Sequence, residues 1–377
     1  MHTYDTDLGW DAGWAAAFSS AVASRRAAGR SADTCLPARV SRAGRGGCDV
    51  MTLGGDGSLA VRTRWGAALT AKVARDPLAV PVAGDWVVIT RRDDDTQAGA
   101  DRTSGDATDY VTEVVLQRRA AVVRAQSRGS SHGQVLAANA DTVLVVEGMV
   151  PDPDLGRLER LLALAWASGA RPMVALTKAD LVGAPQYLVE DVQAVAPGVE
   201  VVAVEAPGGT GLDRLRALLS AGETIALVGA SGVGKSTLVN ALLGADVMAT
   251  QELAAANKGR HTTVVRELHL VPGGGALIDT PGLRGVGLAG GESLDDVFAE
   301  VEDLAEHCRF RDCAHVGEPG CAVLAAVDAG TLSERRLASF RKLLREQRWQ
   351  ALRTDARLRA LRRRADRRAG RAVLPGP

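Results

Sequence analysis

The apolar residues change rhythm several times along the chain. From Leu36 to about Arg124 they come in short runs cut by glycine, among them 36–40, 59–62 and 85–90. Several such runs, separated by turn signals, predict a small β-barrel or sandwich. At Asp141 the pattern becomes Thr142-Val143-Leu144-Val145-Val146, a continuous apolar run of the kind that makes a strand buried on both faces. A helix-period segment follows over 155–167, and further strands are predicted at 172–176, 199–204, 224–228 and 276–278. Strands alternating with helices predict a parallel sheet in an α/β domain. After about Gly290 the text turns helical and ends in an arginine-rich helix from Ser333 to about Arg368. At the other end, Trp10, Trp14 and Phe18 recur at four-residue spacing in an alanine-rich stretch, the mark of a helix with one packing face. The polar stretch 91–109 reads as a long hairpin loop. These patterns divide the chain into a helical extension (1–35), a β-barrel (36–125), a linker (126–140), an α/β domain (141–290) and a helical domain with a basic tail (291–377).

The α/β domain carries the chemistry. Gly229-Ala230-Ser231-Gly232-Val233-Gly234-Lys235-Ser236-Thr237 follows a predicted strand and opens a helical stretch, the context a phosphate loop requires. Its glycines let backbone N–H groups turn toward a β-phosphate, Lys235 bridges β- and γ-phosphates, and Ser236 is positioned to ligate Mg²⁺. Thr177-Lys178-Ala179-Asp180 ends an earlier strand, at the carboxyl edge where open α/β sheets bind ligands. The Asp180 carboxylate can accept from N1–H and the exocyclic amine of guanine, whereas adenine would leave it unpaired. Thr177 stands where asparagine is usual and can offer the base one bond but no amide. Asp279-Thr280-Pro281-Gly282 fits a D-x-x-G element, with Asp279 for a water of the Mg²⁺ shell and the Gly282 N–H for the γ-phosphate. Between them, Gly259-Arg260-His261-Thr262-Thr263 is the candidate first switch. Thr262 or Thr263 would reach Mg²⁺, with Thr263 the favoured one. Leu283 follows Gly282, so the water-orienting glutamine of Ras-type enzymes is absent and slow hydrolysis is expected. His261 either orients water or contacts a partner. The base reader precedes the phosphate loop, so a guanine-nucleotide site has intact parts in rotated chain order.

Composition adds two points. The net charge is zero, but thirteen basic residues face three acidic ones from Arg341 onward, a local charge of +10 that leaves −10 on the rest. A basic tail on an acidic body suits an anionic partner such as nucleic acid, or else is a solvated helix face. Of five cysteines, Cys308, Cys313 and Cys321 cluster with His315 in the spacing C-x4-C-x-H-x5-C. Three thiolates and an imidazole leave no open position and describe one structural tetrahedral Zn²⁺ site in a reducing compartment. No apolar run is long enough to span a bilayer and the first residues lack a secretory pattern, so a cytoplasmic protein is expected.

The order T-K-x-D, G-A-S-G-V-G-K-S-T, G-R-H-T-T, D-T-P-G and then C-x4-C-x-H-x5-C resembles the circularly permuted family of ribosome small subunit-dependent GTPase A (RsgA, also YjeQ). Leu8-Gly9-Trp10 and Val82-Ala83-Gly84-Asp85-Trp86-Val87 also resemble that family's amino-terminal OB-fold domain. The resemblance covers nearly the whole chain. It implies an OB-fold barrel, a permuted GTPase domain that binds GTP and GDP through 229–237 and 177–180, and a zinc domain ligated by Cys308, Cys313, His315 and Cys321. It further implies a monomer that binds the immature 30S subunit and its 16S rRNA, assists late maturation, and hydrolyses GTP faster on that particle. Arg42, Arg45, Arg62 and Arg64 are candidate phosphate contacts on the barrel. Two departures stand out: Val264 cuts the threonine run short, and the loop 91–109 is longer than the barrel needs. Two rival readings are a P-loop ATPase or small-molecule kinase, which would prefer ADP to GDP, and an RNA-binding module with a vestigial nucleotide site, which would keep its activity without Lys235.

Overall fold

The computed structural model describes residues 8–30, 34–52, 59–91, 110–125, 133–247, 266–280, 282, 287–288 and 294–354. The first switch at 259–263, with His261, Thr262 and Thr263, lies outside the described residues, as do Leu283, the loop 92–109 and the tail from 355.

Helix α1 (Ala12–Ala27) is capped by Asp11, whose side chain accepts from the Trp14 N–H at 2.8 Å. Its aromatic stripe packs as expected: Trp10 lies 4.6 Å from Trp86 of the barrel, ring centroid to centroid, and Trp14 lies 6.1 Å from it. The barrel consists of β1 (Cys35–Gly44), β2 (Gly47–Thr52), β3 (Leu59–Trp65), β4 (Trp86–Arg91) and β5 (Tyr110–Val115), with α2 (Ala67–Arg75) between β3 and β4. Its strand order is β1-β2-β3-β5-β4, and β1 also pairs with β4, which closes the barrel. Inward-facing Ala38, Val40, Val50, Val87 and Ile89 fill it.

Two strands depart from the expected boundaries. β6 (Ala121–Ala125), placed by sequence at the end of the barrel, pairs instead with β7 (Gln134–Ala138) inside the expected linker. A short strand further along the chain, Gly287–Leu288, completes this second, three-stranded sheet.

The α/β domain is built on β8 (Thr142–Gly148), β9 (Arg171–Thr177), β10 (Glu200–Val204), β11 (Thr224–Gly229), β12 (Glu267–Leu270) and β13 (Ala276–Asp279). The order is β10-β9-β8-β11-β13-β12, parallel except for β12 at the edge. Successive residues of β8 serve opposite layers. Val143 and Val145 face α3 (Leu155–Trp166) and α4 (Pro185–Val195), while Leu144 and Val146 face α5 (Asp213–Ser220) and α6 (Lys235–Leu243). That two-sided burial is why the strand reads as unbroken apolar text.

The sheet does not stop at the domain edge. β12 pairs with β1 of the barrel at Arg42 and Glu267, and Glu267 pairs in turn with Asp279 of β13, so one ladder runs through both domains. Gly84 seats the barrel against the end of β7; with φ +92, a Cβ there would fall 2.0 Å from the Ala138 carbonyl oxygen.

The C-terminal part is helical: α7 (Leu294–Val297), α8 (Ala299–Ala305), α9 (Ala322–Asp328) and α10 (Glu334–Thr354). It packs on the α3 side of the sheet through Phe298 and Phe340. Glu159 of α3 is fully buried and accepts from Arg335 (2.9 Å) and Arg336 (2.7 Å) of α10, so the seam is ionic as well as apolar. Among the described residues, no helix is long and apolar enough to cross a membrane.

Candidate nucleotide site and metal centre

All six residues of β11 are buried, and the chain leaves it through Gly232 and Gly234 at φ +84 and +93. Glycine holds these left-handed turns without strain. α6 begins at once, so its first amides face the turn and form a site for anions. Ser236 and Thr237 sit half-buried on that first helical turn. Lys235 is buried and donates to the carbonyls of Gly229 (3.0 Å) and Ala230 (2.6 Å). Burial draws its pKa down, while the carboxylates of Asp279 and Glu147 act upward.

Asp279 reaches the same place from the end of β13. Burial pushes its carboxyl up to about 6, against the opposing pull of Lys235. Its Oδ1 is buried without a hydrogen-bond partner. A buried acceptor without a donor is costly, and a metal-bound water is such a donor, so this atom fits a hydrated Mg²⁺ beside Ser236. Thr280 donates to the Leu227 carbonyl at 2.6 Å and fixes the end of the strand. Gly282 lies against the phosphate loop, where a Cβ would come within 2.8 Å of Ser231 Cα.

The base-reading motif closes the other side. Thr177 ends β9, and its hydroxyl reaches the carbonyls of Val233 in the phosphate loop and of Glu147. Sequence reasoning gives this hydroxyl to the base; in the structure it fastens strand to loop. Lys178 adopts φ +62 and donates to the Val150 carbonyl at 3.1 Å. Ala179 and Asp180 follow in a short 3₁₀ turn, with Asp180 exposed at the rim. Residues 177–180, 229–237, 279 and 282 thus line one edge of one sheet.

Two acidic residues next to these motifs escaped the sequence reading. Glu147 is 2% exposed at the end of β8 and is held by Arg157 of α3 through Nε at 3.0 Å and through Nη2. Its signal was a lone acid closing an apolar strand. The turn after β10 adjoins the base motif, because Val204 pairs with Thr177, and there the Glu205 carboxylate accepts from the Thr210 hydroxyl at 2.9 Å.

The four expected metal ligands do converge: one donor atom from each of Cys308, Cys313, His315 and Cys321 lies within 4.8 Å of the others. Cys308 and Cys321 sulfurs are 3.8 Å apart, and His315 Nδ1 is 3.6 and 3.4 Å from them. A tetrahedral zinc with thiolate ligands spaces its sulfurs about 3.8 Å apart, so the donor set fits. Cys321 also caps α9, accepting from the Leu324 N–H at 3.4 Å. Between the ligands, the Glu318 carboxylate accepts from the N–H groups of Ala314 (3.0 Å), Val316 (2.8 Å) and Gly317 (3.1 Å). The Gly317 amide foremost, then its own amide and those of Val316 and Ala314, hold its carboxyl down at about 2.

Comparison with known proteins agrees with this geometry. Residues 115–289 match the family described as RsgA GTPase. The chain is 51% identical over 335 residues to the small ribosomal subunit biogenesis GTPase RsgA of Streptomyces coelicolor, covering 88% of this chain and 85% of that protein. It is 42% identical over 283 residues to the protein of the same name from Methanosarcina acetivorans, covering 74% and 73%. Among solved structures it resembles YjeQ from Thermotoga maritima, with a TM-score of 0.56 at 24% identity over 83% of this chain and 98% of that one. It also resembles YloQ, a circularly permuted GTPase, with a TM-score of 0.53 at 22% identity over 84% and 96%.

Proposed function

The chain belongs to the RsgA GTPase family, and from that premise we propose that it acts on the small ribosomal subunit, the particle for which its relatives are named, and hydrolyses GTP at the edge of the β10–β13 sheet. The supporting observation is the fastening of Thr177 to Val233, which makes the base reader and the phosphate loop two walls of one site.

In this reading Asp180 selects guanine by accepting two hydrogen bonds, with the Lys178 stem along the base. The amides of 229–237 hold the phosphates, and Lys235 leaves its carbonyl partners to neutralise charge on the β- and γ-phosphoryl oxygens. Ser236, Asp279 and Thr263 would hold Mg²⁺, which supplies charge neutralisation across the two phosphates. The Gly282 N–H meets the γ-phosphate, and His261 is the residue that orients water. With Leu283 in place of glutamine, turnover is slow until a partner completes the site.

The barrel and the basic helix meet 16S rRNA. Arg42, Arg45, Arg62 and Arg64 are all exposed on one sector of the barrel, where Arg62 pairs with Asp49 at 3.2 Å. Cys308, Cys313, His315 and Cys321 hold one structural zinc. The protein works as a cytoplasmic monomer. GTP turnover measured with and without purified 30S subunits tests this: severalfold stimulation is expected, and equal rates overturn the ribosomal role. Preferential binding of ADP over GDP overturns the guanine site.

A further inference from the structure

The three amides that converge on Glu318 belong to the loop that must present His315 and Cys321 together. That loop holds difficult backbone: His315 sits at φ +57, a left-handed conformation that non-glycine residues adopt infrequently, and Gly320 at φ +77. Left alone, the N–H groups of Ala314, Val316 and Gly317 would need water, and a loop closed only by its metal would have to order itself upon binding. A carboxylate placed inside the loop removes both needs, because its two oxygens accept all three donors at 2.8 to 3.1 Å. Such an arrangement is an anion nest whose anion is supplied by the loop itself.

We propose that Glu318 is a positioning residue for the metal centre, holding the 313–321 loop in ligating shape before any ion arrives. Metal affinity in such centres includes the free energy of organising the ligands, so a preformed loop binds more tightly and releases more slowly. Glu318 does this without touching the donor atoms. The role requires a carboxylate. In Glu318→Gln one acceptor oxygen becomes an NH₂ donor directed at the backbone N–H groups, so part of the nest is lost while size is kept. Charge alone is a separate effect, which Asp312 isolates: it is exposed and immediately precedes Cys313, where the loop begins.

The inference rests on the metal reading of the cysteine cluster, and one experiment separates the two. Full-length wild type, Glu318→Gln and Asp312→Asn are loaded with Zn²⁺ and titrated with a chromophoric chelator. Each is also loaded with Co²⁺, whose visible bands report tetrahedral thiolate coordination, and checked by circular dichroism for a retained fold. Wild type should hold one ion, Glu318→Gln should lose affinity by about 10- to 100-fold with broadened cobalt bands, and Asp312→Asn should match wild type. Equal metal retention in Glu318→Gln and wild type overturns the role of Glu318 and leaves the metal centre standing. Equal losses in both variants also overturn it, as a bulk charge effect. Wild type that retains no ion overturns the metal reading itself. If Glu318→Gln loses its folded spectrum, amide hydrogen exchange on metal-free wild type decides: protected N–H groups at Ala314, Val316 and Gly317 support the preformed loop, and exchange at the unfolded rate overturns it.

Discussion

Thr177 hydrogen-bonds the backbone carbonyl of Val233, so the strand that ends in the T-K-x-D motif is tied to the glycine-rich loop that opens α6. The two residues come from motifs that the chain order has exchanged. The contact is tight on its other side too, since a Cβ on Gly234 would stand 3.0 Å from the same hydroxyl.

Replacing Thr177 with valine keeps the shape and removes the bond, leaving the Val233 and Glu147 carbonyls short of a donor. Affinity for GDP and GTP should fall alike, by about 1–2 kcal/mol, in fluorescent-nucleotide titrations. Lost preference for GDP over ADP at unchanged GDP affinity would instead give this hydroxyl to the base.

Asp279 sets a pH dependence on the nucleotide-free protein. Its folded carboxyl titrates at about 6, above the unfolded value near 4, so the fold favours the protonated form. Its contribution to stability is full below pH of about 4 and is lost as pH rises to about 6, a change of at most about 3 kcal/mol. Denaturant unfolding from pH 4 to 7 should show this decline in wild type and a flatter profile in Asp279→Asn. Identical profiles would show that burial of Asp279 carries no such penalty.

Gly282→Ala places a methyl group against Ser231, 2.8 Å from its Cα. The switch glycine must then retreat from the phosphate loop, and its amide with it. Turnover of GTP should drop on the order of 10²-fold, as for loss of one preorganised donor, while GDP binding changes little. Undiminished turnover would mean that this amide is not used.

The seam between α3 and α10 should be strong where it is buried and weak where it is wet. Glu159→Gln removes the charge that Arg335 and Arg336 share, and a cost of about 3 kcal/mol is expected in chemical denaturation. Glu346→Gln breaks a less buried pair with Arg160 and should cost at most about 1 kcal/mol. Equal effects would refute the buried network as the main tie.

The sequence made the phosphate loop, the D-x-x-G element and the cysteine cluster legible because each is a local string whose chemistry depends on spacing. Strands such as β8 were legible because burial on both faces leaves no polar interruption. β12 was not: it has four residues, is partly exposed and carries Glu267 and His269 among its leucines. The hairpin of β6 and β7 was missed because its intervening residues are polar, and pairing rather than composition makes it a sheet. The contacts of Thr177 and Glu318 were illegible for one reason. Their partners are backbone carbonyls and amides, which every residue owns and no sequence displays.

The ladder from Arg42 through Glu267 to Asp279 sets how far apart two events can be. Arg42 of the barrel and Asp279 of the D-x-x-G element are separated by two strand spacings, about 10 Å of backbone. The two spacings differ in width: β12 and β13 share four residue pairs, whereas β1 and β12 share only Arg42 with Glu267. Among the described residues the strand pairing between the two domains is thus one bridge wide, and the edge that carries Asp279 takes its barrel-side pairing through a single residue of β12.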